Sequence, residues 1–119
     1  MYLKMLRAKI HRATVTQADL EYVGSITIDK DLLDASGILP GEQVCIANLD
    51  NGQRFETYVF EGQAGSGTIC LNGACARCAC VGDKIIIMSY AYAEPQEAKS
   101  LTAKVLLMDS ENKITKILD

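Results

Sequence analysis

Scarce aromatics, no basic stripe and no long apolar run define this chain first by what it excludes. Aromatic residues make up 6% of the sequence and tryptophan is absent. Few stacking side chains therefore interleave with cations, which argues against nucleic-acid binding. Lys and Arg number 12 against 15 Asp and Glu, giving a net charge of −3. No apolar stretch approaches the roughly 20 residues that a bilayer-crossing helix needs. Lys4, Arg7 and Lys9 interrupt the start of the chain, so no continuous apolar signal core forms. Repeats, linkers and low-complexity tracts are missing as well. The expectation is a cytoplasmic protein with neither a membrane nor a nucleic acid as partner.

What is present suits an ordinary globular protein. The 119 residues, 49% hydrophobic and 23% charged, can bury one sizeable core but not two, so residues 1–119 read as a single domain. Five cysteines is an odd number, and four of them crowd between Cys70 and Cys80. An exported disulfide framework would show an even, dispersed set. Free thiols in a reducing compartment fit better.

Short alternating or apolar runs punctuated by turns predict a mainly β fold. Residues 1–15 suit one or two strands, and Ser25 to Asp29 a brief one. Asp29 or Asp31 can cap a short helix over Leu32, Leu33 and Ala35, which Gly37 would end. Gln43 to Leu49 and Arg54 to Phe60 read as a hairpin through Asn51-Gly52. A glycine-rich turn over Gly62 to Gly67 leads to a strand at Thr68 to Leu71. The tight Asn72-Gly73-Ala74 segment follows. Ile85, Ile86 and Ile87 mark a buried central strand within Lys84 to Tyr92. Pro95 opens a helical turn, and Lys104 to Met108 and Lys113 to Leu118 make a last strand pair. A small barrel with two short helices is the natural way to hide so many strand edges.

The chemically suggestive place is Gly24-Ser25, inside Tyr22-Val23-Gly24-Ser25-Ile26-Thr27-Ile28-Asp29. A glycine meets a hydroxyl nucleophile at the mouth of a strand. Taken alone, the dipeptide marks a turn. Its setting changes that reading. Met5-Leu6, Lys9-Ile10-His11-Arg12, Tyr22-Val23-Gly24-Ser25, Ile28-Asp29, Gly37-Ile38-Leu39, Asn51-Gly52, Arg54-Phe55, Thr57-Tyr58, Asn72-Gly73-Ala74 and Val81-Gly82-Asp83 occur in one order and spacing. Through them almost the whole chain resembles the pyruvoyl-dependent aspartate 1-decarboxylases.

That resemblance implies a double-psi β-barrel with short helices and a zymogen that cleaves itself between Gly24 and Ser25. The products would be a β chain, 1–24, and an α chain, 25–119, assembled as a homotetramer. Ser25 would become the pyruvoyl cofactor. The lyase activity implied is decarboxylation of L-aspartate to β-alanine and CO2 through a Schiff base, feeding pantothenate and coenzyme A synthesis.

The resemblance also assigns roles. Thr57 would assist self-cleavage by hydrogen-bonding the Gly24 oxygen, with Asn72 in the same self-processing group. Such a donor contributes on the order of 3 kcal/mol to a barrier. Tyr58 would return a proton to the decarboxylated carbon. Adjacent strand residues face opposite ways, so Thr57 and Tyr58 reach one site only through a bulge or an interface between subunits. Arg54 is suited to a two-pronged grip on a substrate carboxylate and Lys9 to a supporting point charge. Gly73, Ala74 and Cys75 would line the pocket, where the family commonly has alanine in place of Cys75. His11, the only histidine, and Tyr22 would support the site from beside it.

The cysteines offer a rival. Cys70, Cys75 and Cys78 match the first three spacings of a plant-type iron–sulfur loop, but no fourth cysteine lies downstream of Cys80. Cys80 is too close and Cys45 lies on the wrong side. A zinc site among Cys70, Cys75, Cys78 and Cys80 would need unusually tight ligand spacing. A non-enzymatic interaction module would leave Arg54, Thr57 and Tyr58 without a shared purpose.

Overall fold

A computed structural model describes all 119 residues. Nine strands alternate with two short helices: β1 (Leu3–Thr14), β2 (Gln17–Asp19), β3 (Ser25–Asp29), α1 (Lys30–Ser36), β4 (Gln43–Asn48), β5 (Arg54–Gly62), β6 (Ile69–Asn72), β7 (Lys84–Ala93), α2 (Pro95–Ser100), β8 (Lys104–Met108) and β9 (Ile114–Leu118). A 3₁₀ turn over Gly73–Arg77 follows β6. The strands form one mixed ladder in the order β2-β6-β3-β5-β4-β7-β1-β8-β9. Pairs β1–β8, β2–β6 and β3–β5 are parallel.

Burial shows how the ladder is shaped. Ile10 of β1, Ile26 and Ile28 of β3, Ile46 of β4, Val59 of β5, Leu71 of β6, Ile87 of β7 and Leu106 of β8 are all nearly solvent-free in a single cluster. Strands so far apart in one ladder can share a core only if the sheet curls on itself. Curling plus the crossed parallel connections agrees with a double-psi β-barrel, and the mainly β class is as expected.

The first strand is a single element rather than two. Two irregularities in its pairing with β7 fall between Leu6 and Ala8 and between His11 and Ala13. Arg12, at φ 68, occupies the second of these bulges. Simple alternation would send Ile10 and Ala13 to opposite faces, yet both are fully buried; the extra residue resets the phase. The first bulge frees Arg7 to donate to both Glu42 carboxylate oxygens at 2.6 and 2.7 Å and to the Gly37 carbonyl at 3.1 Å.

Local chemistry sets α1 as expected. Asp29 caps it, Oδ1 accepting from the Asp31 N–H at 2.8 Å, and Gly37 ends it at φ 81. The same carboxylate also accepts from the N–H groups of Gly65 at 3.0 Å and Gly67 at 2.8 Å. One buried side chain thus ties the end of β3, the start of α1 and the glycine-rich turn together. The Asn51-Gly52 hairpin forms between β4 and β5, with Gly52 at φ 74. Strand β2 and the parallel placement of β8 beside β1 were not anticipated.

Asp29→Ala leaves three backbone donors without their partner and should cost about 3 kcal/mol in urea unfolding, with Asp29→Asn losing less. A loss under about 0.5 kcal/mol would show that the carboxylate does not hold this corner.

Candidate active site

The proposed cleavage junction sits where a surface loop enters the barrel wall. Asp19, ending β2, shapes that loop: its Oδ1 accepts from the Glu21 N–H at 3.1 Å and its carbonyl from the Tyr22 N–H at 3.4 Å. Tyr22 and Val23 are exposed, whereas Ser25, the first residue of β3, is completely buried. The chain passes from water to core within two residues.

Ser25 pairs with Asn72 across the antiparallel β3–β6 ladder. Asn72, itself buried, donates from Nδ2 to Ser25 Oγ at 3.0 Å and to Thr27 Oγ1 at 3.0 Å. Its Oδ1 accepts from the Cys70 thiol at 3.2 Å. The sequence offers Cys70 only as a metal-ligand candidate and does not single out Thr27, although alternation along β3 places Thr27 on the Ser25 face; no sequence signal ties Cys70 to Asn72.

Gly73 presses on the junction from the opposite side. A Cβ there would lie 2.7 Å from Gly24 Cα and 2.9 Å from Gly24 N, and Gly73 has φ +66. Only glycine permits both the close approach and that backbone conformation. The next residue, Ala74, is exposed. Cys75, expected at the pocket wall, packs partly against the core.

The parallel strand β5 supplies the other flank. Its register runs from Ile26 opposite Val59 to Asp29 opposite Gly62; continued back past the paired residues, it would bring Ser25 level with Tyr58 and Gly24 level with Thr57. Pairing between β4 and β5 is unbroken from Arg54 to Tyr58, so no bulge brings Thr57 and Tyr58 to one face. Thr57 faces inward with Phe55 and Val59. Tyr58 faces outward, 39% exposed, its ring edge-on to Phe60 at 5.6 Å.

The cations lie elsewhere on the outer sheet face. Cross-strand register lines up Lys9, Met88, Cys45 and Glu56 in one row and His11, Ile86, Ala47 and Arg54 in the next. Lys9 and Arg54 are therefore separated by three strand spacings and two residues along the strands, roughly 16 Å measured along the sheet. Arg54 is also four residues along β5 from Tyr58, roughly 13 Å. Arg54 and Glu56 flank a cleft of about 140 Å³, and a groove of about 220 Å³ runs between Gln43, Glu56 and Tyr90. Neither reaches Ser25. His11 Nδ1 is buried without a partner. Burial, then the charges of Lys9 and Arg12, lower its pKa, keeping the imidazole neutral at pH 7.

The iron–sulfur or zinc alternative finds no support. No three His, Cys, Asp or Glu side chains are placed to hold a metal ion. Cys70 is buried on β6, Cys75 leans on the core and Cys80 is exposed. Closeness in sequence does not become closeness of sulfur, because a strand and a 3₁₀ turn point successive side chains apart.

Comparison with known proteins decides the family. The aspartate decarboxylase family pattern matches residues 1–115. The chain belongs to the aspartate decarboxylase family. It is 66% identical over 116 residues to the aspartate 1-decarboxylase of Lactiplantibacillus plantarum, covering 98% of this chain and 89% of that protein. Aspartate 1-decarboxylase from Clostridium acetobutylicum is 58% identical over 119 residues, covering 100% of this chain and 94% of the relative. The Neisseria meningitidis protein of the same name is 57% identical over 118 residues, covering 99% and 93%.

In this aspartate decarboxylase family member the contact between two glycine backbones is open to direct test. Gly73→Ala combines a left-handed backbone with a clash against backbone atoms, and should lower unfolding free energy by about 2 kcal/mol or more in urea titration. Stability equal to the parent would show that Gly73 does not press on Gly24.

Proposed function

We propose that this chain is a cytoplasmic carboxy-lyase that converts L-aspartate to β-alanine and CO2, supplying β-alanine for pantothenate and coenzyme A. The observation that carries the reading is the Gly24–Ser25 junction: a buried hydroxyl held by Asn72, directly after a glycine pressed by Gly73. Family membership supports it, and no helix is long and apolar enough to cross a membrane.

The junction has what self-cleavage requires. Ser25 Oγ attacks the Gly24 carbonyl carbon, the peptide C–N bond breaks, and the hydroxyl proton passes to the freed nitrogen as an ester forms. Thr57, level with Gly24 if the β3–β5 register is continued back past Ile26, donates to the carbonyl oxygen as negative charge grows there. Loss of the Ser25 Cα proton then breaks the Cβ–Oγ bond, and Oγ leaves within the new Gly24 carboxylate. Asn72 Nδ2, already 3.0 Å from Oγ, steadies that departing oxygen. Water replaces the nitrogen of the resulting dehydroalanine and ammonia is released. Chains 1–24 and 25–119 remain associated because both contribute strands to one core.

The keto group so formed at position 25 supplies an electrophile and electron sink that no ordinary side chain offers. Ser25, Asn72 and the Gly24–Gly73 contact fit its formation. Arg54 grips one substrate carboxylate through paired hydrogen bonds and Lys9 adds charge. Held in this way, the substrate would be fixed in orientation as well as in affinity. Tyr58, alongside Ser25 on the outer face, gives its phenolic proton to the carbon from which CO2 has left. Gly73, Ala74 and Cys75 form the adjoining wall, with His11 and Tyr22 beside it.

The spacing of the cations from Ser25 supports a site completed by a second protomer, within a homotetramer of cleaved chains. The long separation of Lys9 and Arg54 within one chain is bridged if one protomer supplies Lys9 and its neighbour supplies Arg54 beside the same Ser25. The unbroken β5 register and the outward-facing Tyr58 favour the same arrangement.

Purified protein incubated with L-aspartate should form β-alanine, read by amino-acid chromatography. Ser25→Ala should fold and form none, and Tyr58→Phe should turn over at least about a hundredfold more slowly. Parent-like turnover by Ser25→Ala would sink the cofactor assignment; unimpaired Tyr58→Phe would remove Tyr58 from proton donation.

A further inference from the structure

Asn72 is the pivot of the cleavage junction, and its carboxamide has two possible orientations related by a half-turn. Ser25 Oγ and Thr27 Oγ1, each 3.0 Å from Nδ2, do not choose between them, because hydroxyls both donate and accept. If Oδ1 faced Ser25 instead, the departing oxygen would meet a lone pair rather than a proton.

The third contact breaks the tie. Cys70 lies two residues before Asn72 on β6, on the same face, and pairs with Thr27 across the ladder. Its Sγ sits 3.2 Å from Asn72 Oδ1. Sulfur is a weak acceptor, so an amide turned the other way would point its N–H groups at a poor partner. A thiol proton aimed at Oδ1 satisfies both groups. We infer that Cys70 is a positioning residue, whose thiol proton selects the Asn72 orientation that presents Nδ2 to Ser25 Oγ. Burial, and then the nearby charge of Asp19, raise the Cys70 pKa and keep that proton in place. The same burial makes the thiol a poor nucleophile; its part is to orient.

This inference rests on self-cleavage at Ser25, and the test separates the two. Cys70→Ala and Cys70→Ser are compared with the parent by following the cleaved fraction after synthesis by intact-mass spectrometry, with thermal unfolding alongside. Cys70→Ala should cleave about fivefold more slowly, the effect of one hydrogen bond on a barrier. Cys70→Ser, which keeps a donor, should stay within about twofold of the parent. Parent-like cleavage by Cys70→Ala would overturn the inference, and so would equal slowing in both variants, which would mark a packing role. A parent that never cleaves refutes the maturation reading instead. The Cys70 assignment is then read in the uncleaved chains from the Asn72 side-chain amide in nitrogen-15 NMR. Two distinct, exchange-protected proton signals are expected in parent and Cys70→Ser and their loss in Cys70→Ala; identical signals in all three would overturn it.

Discussion

The pairing of Ser25 with Asn72 across β3 and β6 is the constraint on which the rest depends. It buries a nucleophilic hydroxyl completely, and a buried hydroxyl must find a partner. Asn72 provides one on the same ladder, so backbone pairing and side-chain contact enforce each other. Gly73 follows directly, and its missing side chain lets the next stretch of backbone close onto Gly24. Three consecutive features of one segment, Asn72, Gly73 and the 3₁₀ turn, thus hold the junction from two sides.

Strand β3 is only five residues long, too short to resist displacement through its own ladder. Its far end is secured by Asp29, whose carboxylate joins a helix start and a glycine-rich turn. With Asn72 at one end and Asp29 at the other, Ser25 cannot drift relative to β5. The parallel neighbour then presents Thr57 and Tyr58 at fixed places on opposite faces. A tight barrel wall is well suited to hold such a junction in place, since a backbone bond reacts with its neighbour only when geometry is imposed from outside.

The sequence made local features legible and left non-local ones hidden. Helix α1 could be read because Asp29 and Gly37 act on backbone within a few residues of themselves. The β4–β5 hairpin could be read because Asn51-Gly52 suits a tight turn, and β3 because it alternates cleanly. By contrast, β2 is three residues long and carries no pattern of its own. The parallel pairing of β3 with β5, Ile26 opposite Val59, joins segments some thirty residues apart, beyond the reach of periodicity. Cys70 reads in the sequence only as one of a run of possible metal ligands, and its contact with Asn72 Oδ1 becomes visible only in the fold. The crowding from Cys70 to Cys80 suggested a ligand cluster only because spacing along a chain ignores the direction of side chains. Lys9 and Arg54 read in the sequence as cations suited to a dicarboxylate, yet nothing there reveals that one protomer keeps them apart.

The architecture therefore separates two tasks. The junction proposed to react with itself lies in the wall of one barrel, and the cations proposed for the substrate lie on the outer sheet face. The central claim concerns the first task alone: the bond before Ser25 breaks by rearrangement, leaving a ketone. Intact-mass spectrometry of the purified protein, with and without a hydrazine that labels ketones, tests it most directly. The account predicts chains 1–24 and 25–119, the longer lighter by one ammonia than a serine-started chain and shifted by the label. A single unlabelled full-length mass from a preparation that makes β-alanine would contradict it.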